Sequence, residues 1–163
     1  MKLIPLTRGQ FVQVDDEDYD YLMQWKWHAQ KGKYSFYATR SEHSRGKNRT
    51  VKTIWMHRII MNTPKGLSVD HIDHNGLNCQ KSNMRNCTSS QNNMNTTARG
   101  ISRYLGVSYA KNKRGSKKYH AYIKIGTKAT HLGYFYNEID AAIAYNNAAK
   151  VHHGEFANLN KVH

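Results

Sequence analysis

This 163-residue chain holds only two cysteines, two prolines and eleven acidic side chains. Cys79 and Cys87 make no disulfide framework and are too few for a cysteine-rich zinc site. The default compartment is therefore a reducing one, the cytoplasm. No apolar run approaches the ~18 residues of a membrane span. The opening stretch from Met1 to Arg8 is too short in apolar residues for a secretory signal. With two Pro and eleven Gly the chain is not low-complexity, and its eleven Tyr, four Phe and three Trp supply core-forming bulk.

The scarcity of acids leaves a large positive excess. Lys plus Arg number 25, so the formal charge is +14. An excess of this size on a small chain points to a polyanionic partner, most often nucleic acid. The charge is spread: residues 1–100 and 101–163 each carry a net +7.

Residues 1–62 read as mostly β. Phe11 to Val14 is a strand, and Asp15 to Asp18 opens a short helix whose dipole welcomes carboxylates. Tyr19, Leu22 and Met23 are its expected buried face. Trp25–Ala29 and Tyr34–Thr39 are expected as strands around a turn at Gly32, with another turn over Gly46 to Arg49. Lys52 to Met61 is a strand or strand-to-helix segment. His57 within it is read as a hydrogen-bonded core residue rather than a ligand.

Residues 63–99 change character, rich in Asn and His and poor in large apolar groups. A core does not need this composition; a polar site does. Leu67 to Ile72 reads as a strand, His74-Asn75-Gly76 as a turn, and Asn83 to Cys87 as a returning strand. Thr88 and Gln91 have the spacing of a capping box, opening a helix through Asn92, Asn93 and Met94. The order is strand, turn, strand, helix.

Val69-Asp70-His71-Ile72-Asp73-His74-Asn75-Gly76, then Asn83-Met84-Arg85, then Gln91-Asn92-Asn93 resembles the His-Asn-His (HNH) endonucleases of ββα-metal fold. It is closest in pattern to the phage and intron-encoded homing group. An Asn stands 12 residues after His71 and a second Asn 9 further on. Met56 to Asn62 matches the lead-in of those phage proteins, whose workplace is the host cytoplasm. The resemblance implies that Asn83 orients His71 or braces the loop.

The chemistry fits independently. Phosphodiester hydrolysis needs an activated water, and a neutral imidazole suits that task at pH 7. A divalent cation on oxygen ligands neutralises the phosphate and stabilises the leaving oxygen. His71 is therefore read as general base, Asp70 and Asn92 as ligands of Mg²⁺ or Mn²⁺, and Arg85 as a phosphate contact. Asp73, His74 and Asn93 take turn, cap or supporting roles. Zinc is not expected, because paired additional ligands are missing.

Residues 100–163 read as a second module. Tyr104–Tyr109, Tyr119–Ile125 and Thr130–Phe135 are strands, with a basic hairpin tip over 111–118. Asn137 caps a helix whose apolar stripe is Ala141, Ala142, Tyr145, Ala148 and Ala149, and Gly154 ends it. Gly106-Val107, Leu132 to Phe135, Asp140 to Asn146 and Ala157 to Asn160 are similar to the Apetala/ethylene-response-factor DNA-binding domain. That resemblance implies a sheet face docked in the major groove. Ser108 and Ala110 stand where plant members carry base-reading Arg, Tyr122 replaces the usual acid and His131 a Trp, so plant sequence preference is not implied. Lys111, Lys113, Arg114, Lys117, Lys118, His120, Tyr122, Lys124 and His131 are the DNA-contact candidates.

The expected fold is α+β: a β-rich N-terminal segment leading into a ββα-metal motif, then a three-stranded antiparallel sheet packed on one helix. The expected domains are 1–99 and 100–163. The expected function is metal-dependent, site-selective cleavage of duplex DNA, nicking as a monomer unless a dimer forms. The competing reading is a DNA-binding regulator with an inactive nuclease segment, against which the intact Asp70, His71, Asn83 and Asn92 set argues. RNA binding is disfavoured by the apparent major-groove sheet.

Overall fold

The computed structural model describes residues 1–44, 50–110 and 118–162. The Gly46 to Arg49 turn and the hairpin-tip residues Lys111, Lys113, Arg114 and Lys117 lie outside these. Two compact units emerge, Met1–Ser89 and Ser90–His163. The mixed α/β class expected from the sequence is present, with several small antiparallel sheets and four α-helices among the described residues.

In the first unit, β1 (Lys2–Pro5) pairs antiparallel with β2 (Phe11–Val14). β2 is anticipated by its β-branched residues; β1 is not. Helix α1 (Asp16–Leu22) follows, with three acids in its first turn. Leu22 is buried, but Met23 caps the C-terminus and is exposed. A second sheet orders β3 (His28–Lys31), β4 (Phe36–His43) and β5 (Val51–Trp55). The expected Trp25–Ala29 strand starts later, at His28. Trp27 instead plunges into the core and donates its indole N–H to the Leu22 carbonyl at 2.8 Å. The Lys52–Met61 segment resolves into β5 and then α2 (Met56–Ile60).

The third sheet is the ribbon β6 (Ser68–His71) with β7 (Met84–Cys87), in which Asp70 stands opposite Arg85 and His71 opposite Met84. Ile4, Val12, Val14, Leu22, Trp27, Met56, Leu77 and Cys79 share one core that reaches this ribbon through Met84. Burying each aliphatic side chain of this kind is worth ~1.5–3 kcal/mol. A parallel bridge between Gln13 and Asn78 ties β2 to the loop between the ribbon strands.

In the second unit, α3 (Ser89–Met94), which begins at the last residue of the first, leads toward β8 (Val107–Tyr109), β9 (Tyr119–Ile125) and β10 (Lys128–Phe135). The sheet is antiparallel in the order β10–β9–β8. Helix α4 (Glu138–His152) packs on one face of it. Asn137 caps α4 by accepting from the Asp140 N–H at 2.7 Å, as its position predicts. Ala141, Ala142, Tyr145 and Ala149 are buried against Ala121 and Ile123, the inward residues of β9. Asn160 exchanges hydrogen bonds with both backbone groups of Leu105 and both ends of the Asn146 side chain, closing the unit.

Gly106 adopts φ +73°, and an added Cβ would lie 2.0 Å from the Tyr145 ring and 2.6 Å from the Tyr122 carbonyl. Gly106→Ala therefore combines a left-handed backbone penalty with overpacking, a loss of ~2–5 kcal/mol. Chemical denaturation of the full chain should show it as earlier loss of the Ser90–His163 unit. An unchanged midpoint would refute the packing described for Tyr145.

Candidate functional site

The ribbon β6–β7 gathers four of the residues singled out by the sequence. Asp70 and His71 end β6, and both are buried. Arg85 donates from Nε and Nη2 to one Asp70 oxygen, Oδ2, at 2.9 and 2.7 Å. Arg85 thus holds the carboxylate, a contact the sequence reading did not foresee when it assigned this residue to phosphate.

Asn83 sits where the chain enters β7 and braces the connecting loop. Its Oδ1 accepts from the Asp73 N–H at 3.1 Å, and its Nδ2 donates to Asp73 Oδ1 and the Asn78 carbonyl, each at 2.9 Å. Asp73 also receives the Asn75 N–H at 2.8 Å and the Asn78 amide at 2.8 Å. Burial would raise the Asp73 pKa, but these three Asn partners and the nearby His71 reverse that and lower it. Asp73 is a turn-forming anion beside the site, the role that the loop composition suggests.

His71 lies in an aromatic enclosure. Its ring is perpendicular to His57 at 5.4 Å between centroids and edge-on to Tyr37 at 6.0 Å. Its Nε2 is 4.0 Å from the Cys79 sulfur. Burial lowers the His71 pKa below the ordinary imidazole value, against the opposing pull of Asp73 and Asp70. The imidazole is therefore neutral at pH 7, the form that accepts a proton. Burial also pushes the Cys79 thiol up to about 12, which keeps it an uncharged packing group.

His57 corrects an expectation. It is buried, as anticipated, but its Nδ1 has no hydrogen-bond partner. Its ring is held instead by Trp55, Tyr37 and His71. Burial, then the charges of His71 and Arg58, depress its pKa to about 3.

The acidic run also has a different employment. Asp15 makes no side-chain cap to α1. Its carboxylate accepts the Lys81 backbone N–H at 2.8 Å and the Gln80 amide at 3.3 Å. Lys81 Nζ pairs with Glu17 and with Asp18, the latter at 3.1 Å. The helix start is thereby fastened to the loop that carries Asn83. No local signal announces this, because the partners are 65 and 66 residues apart.

Asn92 lies in α3, exposed, within the Ser90–His163 unit. Of the DNA-contact candidates that are described, Lys118 is exposed ahead of β9, and His120, Tyr122 and Lys124 project from the β9 face opposite Ala121 and Ile123. His131 projects from β10 opposite Tyr122. Among the described residues no three His, Cys, Asp or Glu side chains cluster as a metal site.

Comparison with known proteins bears on this geometry. Residues 55–94 match the family model of HNH endonucleases, a span that starts at Trp55 and takes in β6, β7 and α3. The chain is also similar to an uncharacterized HNH endonuclease of Acanthamoeba polyphaga mimivirus, 29% identical over 165 residues, covering 98% of this chain and 80% of the viral protein. No solved structure matches the chain.

The buried neutral His57 sets a pH dependence of stability. Its folded pKa of about 3 lies below the ordinary 6.5 of an unfolded chain, so protons bind the unfolded state preferentially between those values. The contribution is complete above pH 6.5 and is lost as pH falls, at up to ~1.4 kcal/mol per pH unit. Denaturation midpoints compared at pH 7 and 5 should fall less for His57→Phe than for the wild-type chain. Equal falls would show that His57 is not the buried neutral group described.

Proposed function

We propose that this chain, a DNA endonuclease of the HNH type, hydrolyses duplex DNA with His71 as general base and a divalent cation, placed on its substrate by the Ser90–His163 unit. The observation that carries the reading is the juxtaposition on one short ribbon of a buried neutral imidazole, His71, and a buried carboxylate, Asp70. A neutral imidazole suits the activation of water, and a hard oxygen ligand suits the cation that phosphodiester hydrolysis commonly uses.

The donor chemistry fits Mg²⁺ or Mn²⁺. Asp70 is a buried carboxylate, a hard oxygen donor, and Mg²⁺ commonly takes just one or two protein ligands, the rest being water and phosphate. The Asn92 amide oxygen is the second donor that the sequence suggests. When bound, the cation neutralises the phosphate charge and stabilises the departing oxygen. His71 takes the proton of the attacking water at a ring nitrogen, and burial keeps that nitrogen unprotonated at pH 7. Arg85 fixes the Asp70 carboxylate by two bonds to one oxygen. Asn83 fixes the loop that follows His71.

The basic side chains of the second unit, Lys118 and Lys124 with Lys111, Lys113, Arg114 and Lys117, supply sequence-independent attraction to phosphate. Three strands backed by one helix support the Apetala/ethylene-response-factor-like reading of this unit. One such site in a chain implies a nick in one strand per encounter, homing-endonuclease-like. A break in both strands then needs a second copy or a second event.

His71→Ala should slow single-turnover cleavage by ~10² or more, the scale of a lost general base, with DNA affinity unchanged. Equal rates would remove His71 from the chemistry. Cleavage should also stop in chelator and return with Mg²⁺ or Mn²⁺. Asp70→Ala should weaken the metal dependence more than Asn92→Ala, since a carboxylate adds charge to its lone pair. Full cleavage in chelator would overturn the cation assignment.

A further inference from the structure

The second unit carries a feature that phosphate attraction does not explain. On the sheet face turned away from α4, four rings form a two-by-two array. Tyr134 stands across from His120, and His131 across from Tyr122. Ring centroids are 4.6 Å apart for His120–His131, 4.8 Å for His131–Tyr134, 5.2 Å for His120–Tyr134 and 5.7 Å for His120–Tyr122. Nitrogens of the two imidazoles lie 2.6 Å apart, locking their rings together. Tyr122 and Tyr134 remain 38% and 49% exposed, although a buried face lies one residue away on β9.

A strand does not produce this array by default. His131 and Tyr134 are three residues apart, and such residues point to opposite faces of a regular strand. The register irregularity between His131 and Gly133, with Gly133 at φ +138°, returns Tyr134 to the ring face. β9 and β10 contain no acid, and Lys118 and Lys124, which alternate with the inward residues of β9, are exposed beside the rings.

Rings with lysines among them suit a particular state of DNA. In a duplex the base faces are stacked on one another, and only edges reach the groove. Unpaired bases offer their faces, and stacking on side-chain rings while cations hold the backbone is how sheet surfaces bind single strands. We propose that His120, Tyr122, His131 and Tyr134 form a stacking platform for unpaired bases of DNA, such as those of an opened or frayed strand at the cut. This rests on the reading of the second unit as the DNA-placing part and adds which state of DNA its sheet face holds. The lysines approach any phosphate backbone; the rings select bases released from pairing.

The test uses the full chain in chelator, so that nothing is cut. Fluorescent single-stranded DNA, the matching duplex and an RNA of the same sequence are titrated at ~50 mM salt. Tyr122→Ala with Tyr134→Ala should weaken single-strand binding by ~10²-fold, about tenfold per ring. Duplex binding should fall by clearly less, because a duplex keeps its base faces stacked and offers the rings only edges. Tyr122→Phe with Tyr134→Phe keeps the rings and should bind as wild type does. If the double Ala variant fails to fold by circular dichroism, Tyr134→Ala alone should still give the tenfold loss.

Unchanged single-strand binding by the Ala variants overturns the platform. An equal loss on duplex makes the face a duplex-docking surface instead and also overturns it, as does tighter binding of the RNA. Cleavage by wild type with Mg²⁺ is read separately. A chain that does not cut but loses single-strand affinity with its rings would refute the nuclease reading and leave the platform standing.

Discussion

A carboxylate removed from water must meet a cation, and Asp70 meets Arg85. The two side chains are 4% and 15% exposed, and the closer nitrogen is 2.7 Å from the carboxylate. Removing one member of a buried pair like this typically costs ~3–5 kcal/mol, because the remaining charge is stranded. The pair therefore fixes the register of β6 against β7. A one-residue slip would face Asp70 with Met84 or Asn86 and turn every side chain of the strand to the wrong side. His71, next along β6, inherits its orientation from this constraint. The loop beyond it then closes in a determined place, with Asn83 held to Asp73 and Asn78.

The same ribbon sets opposing electrical demands on neighbouring residues. Asp70 is kept beside a guanidinium, whereas His71 is kept among rings. Burial drives His71 toward neutrality while two acids draw it the other way, and burial is the larger influence. Trp55, Tyr37 and His57 thus do more than fill space. They hold the low-dielectric wall that makes an imidazole a base rather than a cation near neutral pH. The buried neutral His57 belongs to that wall.

Much of the framework of the candidate site was legible because its parts lie close together in sequence. Strand, turn, strand and helix from Ser68 to Met94 are local events with local signals: a polar turn and a capping-box spacing. The cap at Asn137 and the alanine stripe of α4 were legible for the same reason. What escaped was decided by distant partners. Asp15 to Asp18 read as a helix start, which they are, yet their carboxylates also engage Gln80 and Lys81. Trp27 read as a strand residue but serves as a core anchor bonded to Leu22. Arg85 looked like a phosphate contact, and its engagement with Asp70 depends on a register no single strand reveals. β1 was missed because Pro5 and Lys2 leave little strand signal in four residues.

The stitching of the first residues to the loop before β7 has a consequence for synthesis. Gln13 exchanges backbone hydrogen bonds with Leu77 and Cys79, and the Asp15 carboxylate accepts the Lys81 backbone N–H, so the earliest strands wait on residues made much later. Contacts of such long range close slowly, because the intervening chain must first surrender its freedom. On a ribosome adding about 5–20 residues per second, several seconds separate the two partners. During that interval the N-terminal strands stand without the loop they bind, and Asp70 exists before Arg85. The nascent chain is thus unable to assemble the ribbon until Arg85 has left the exit tunnel.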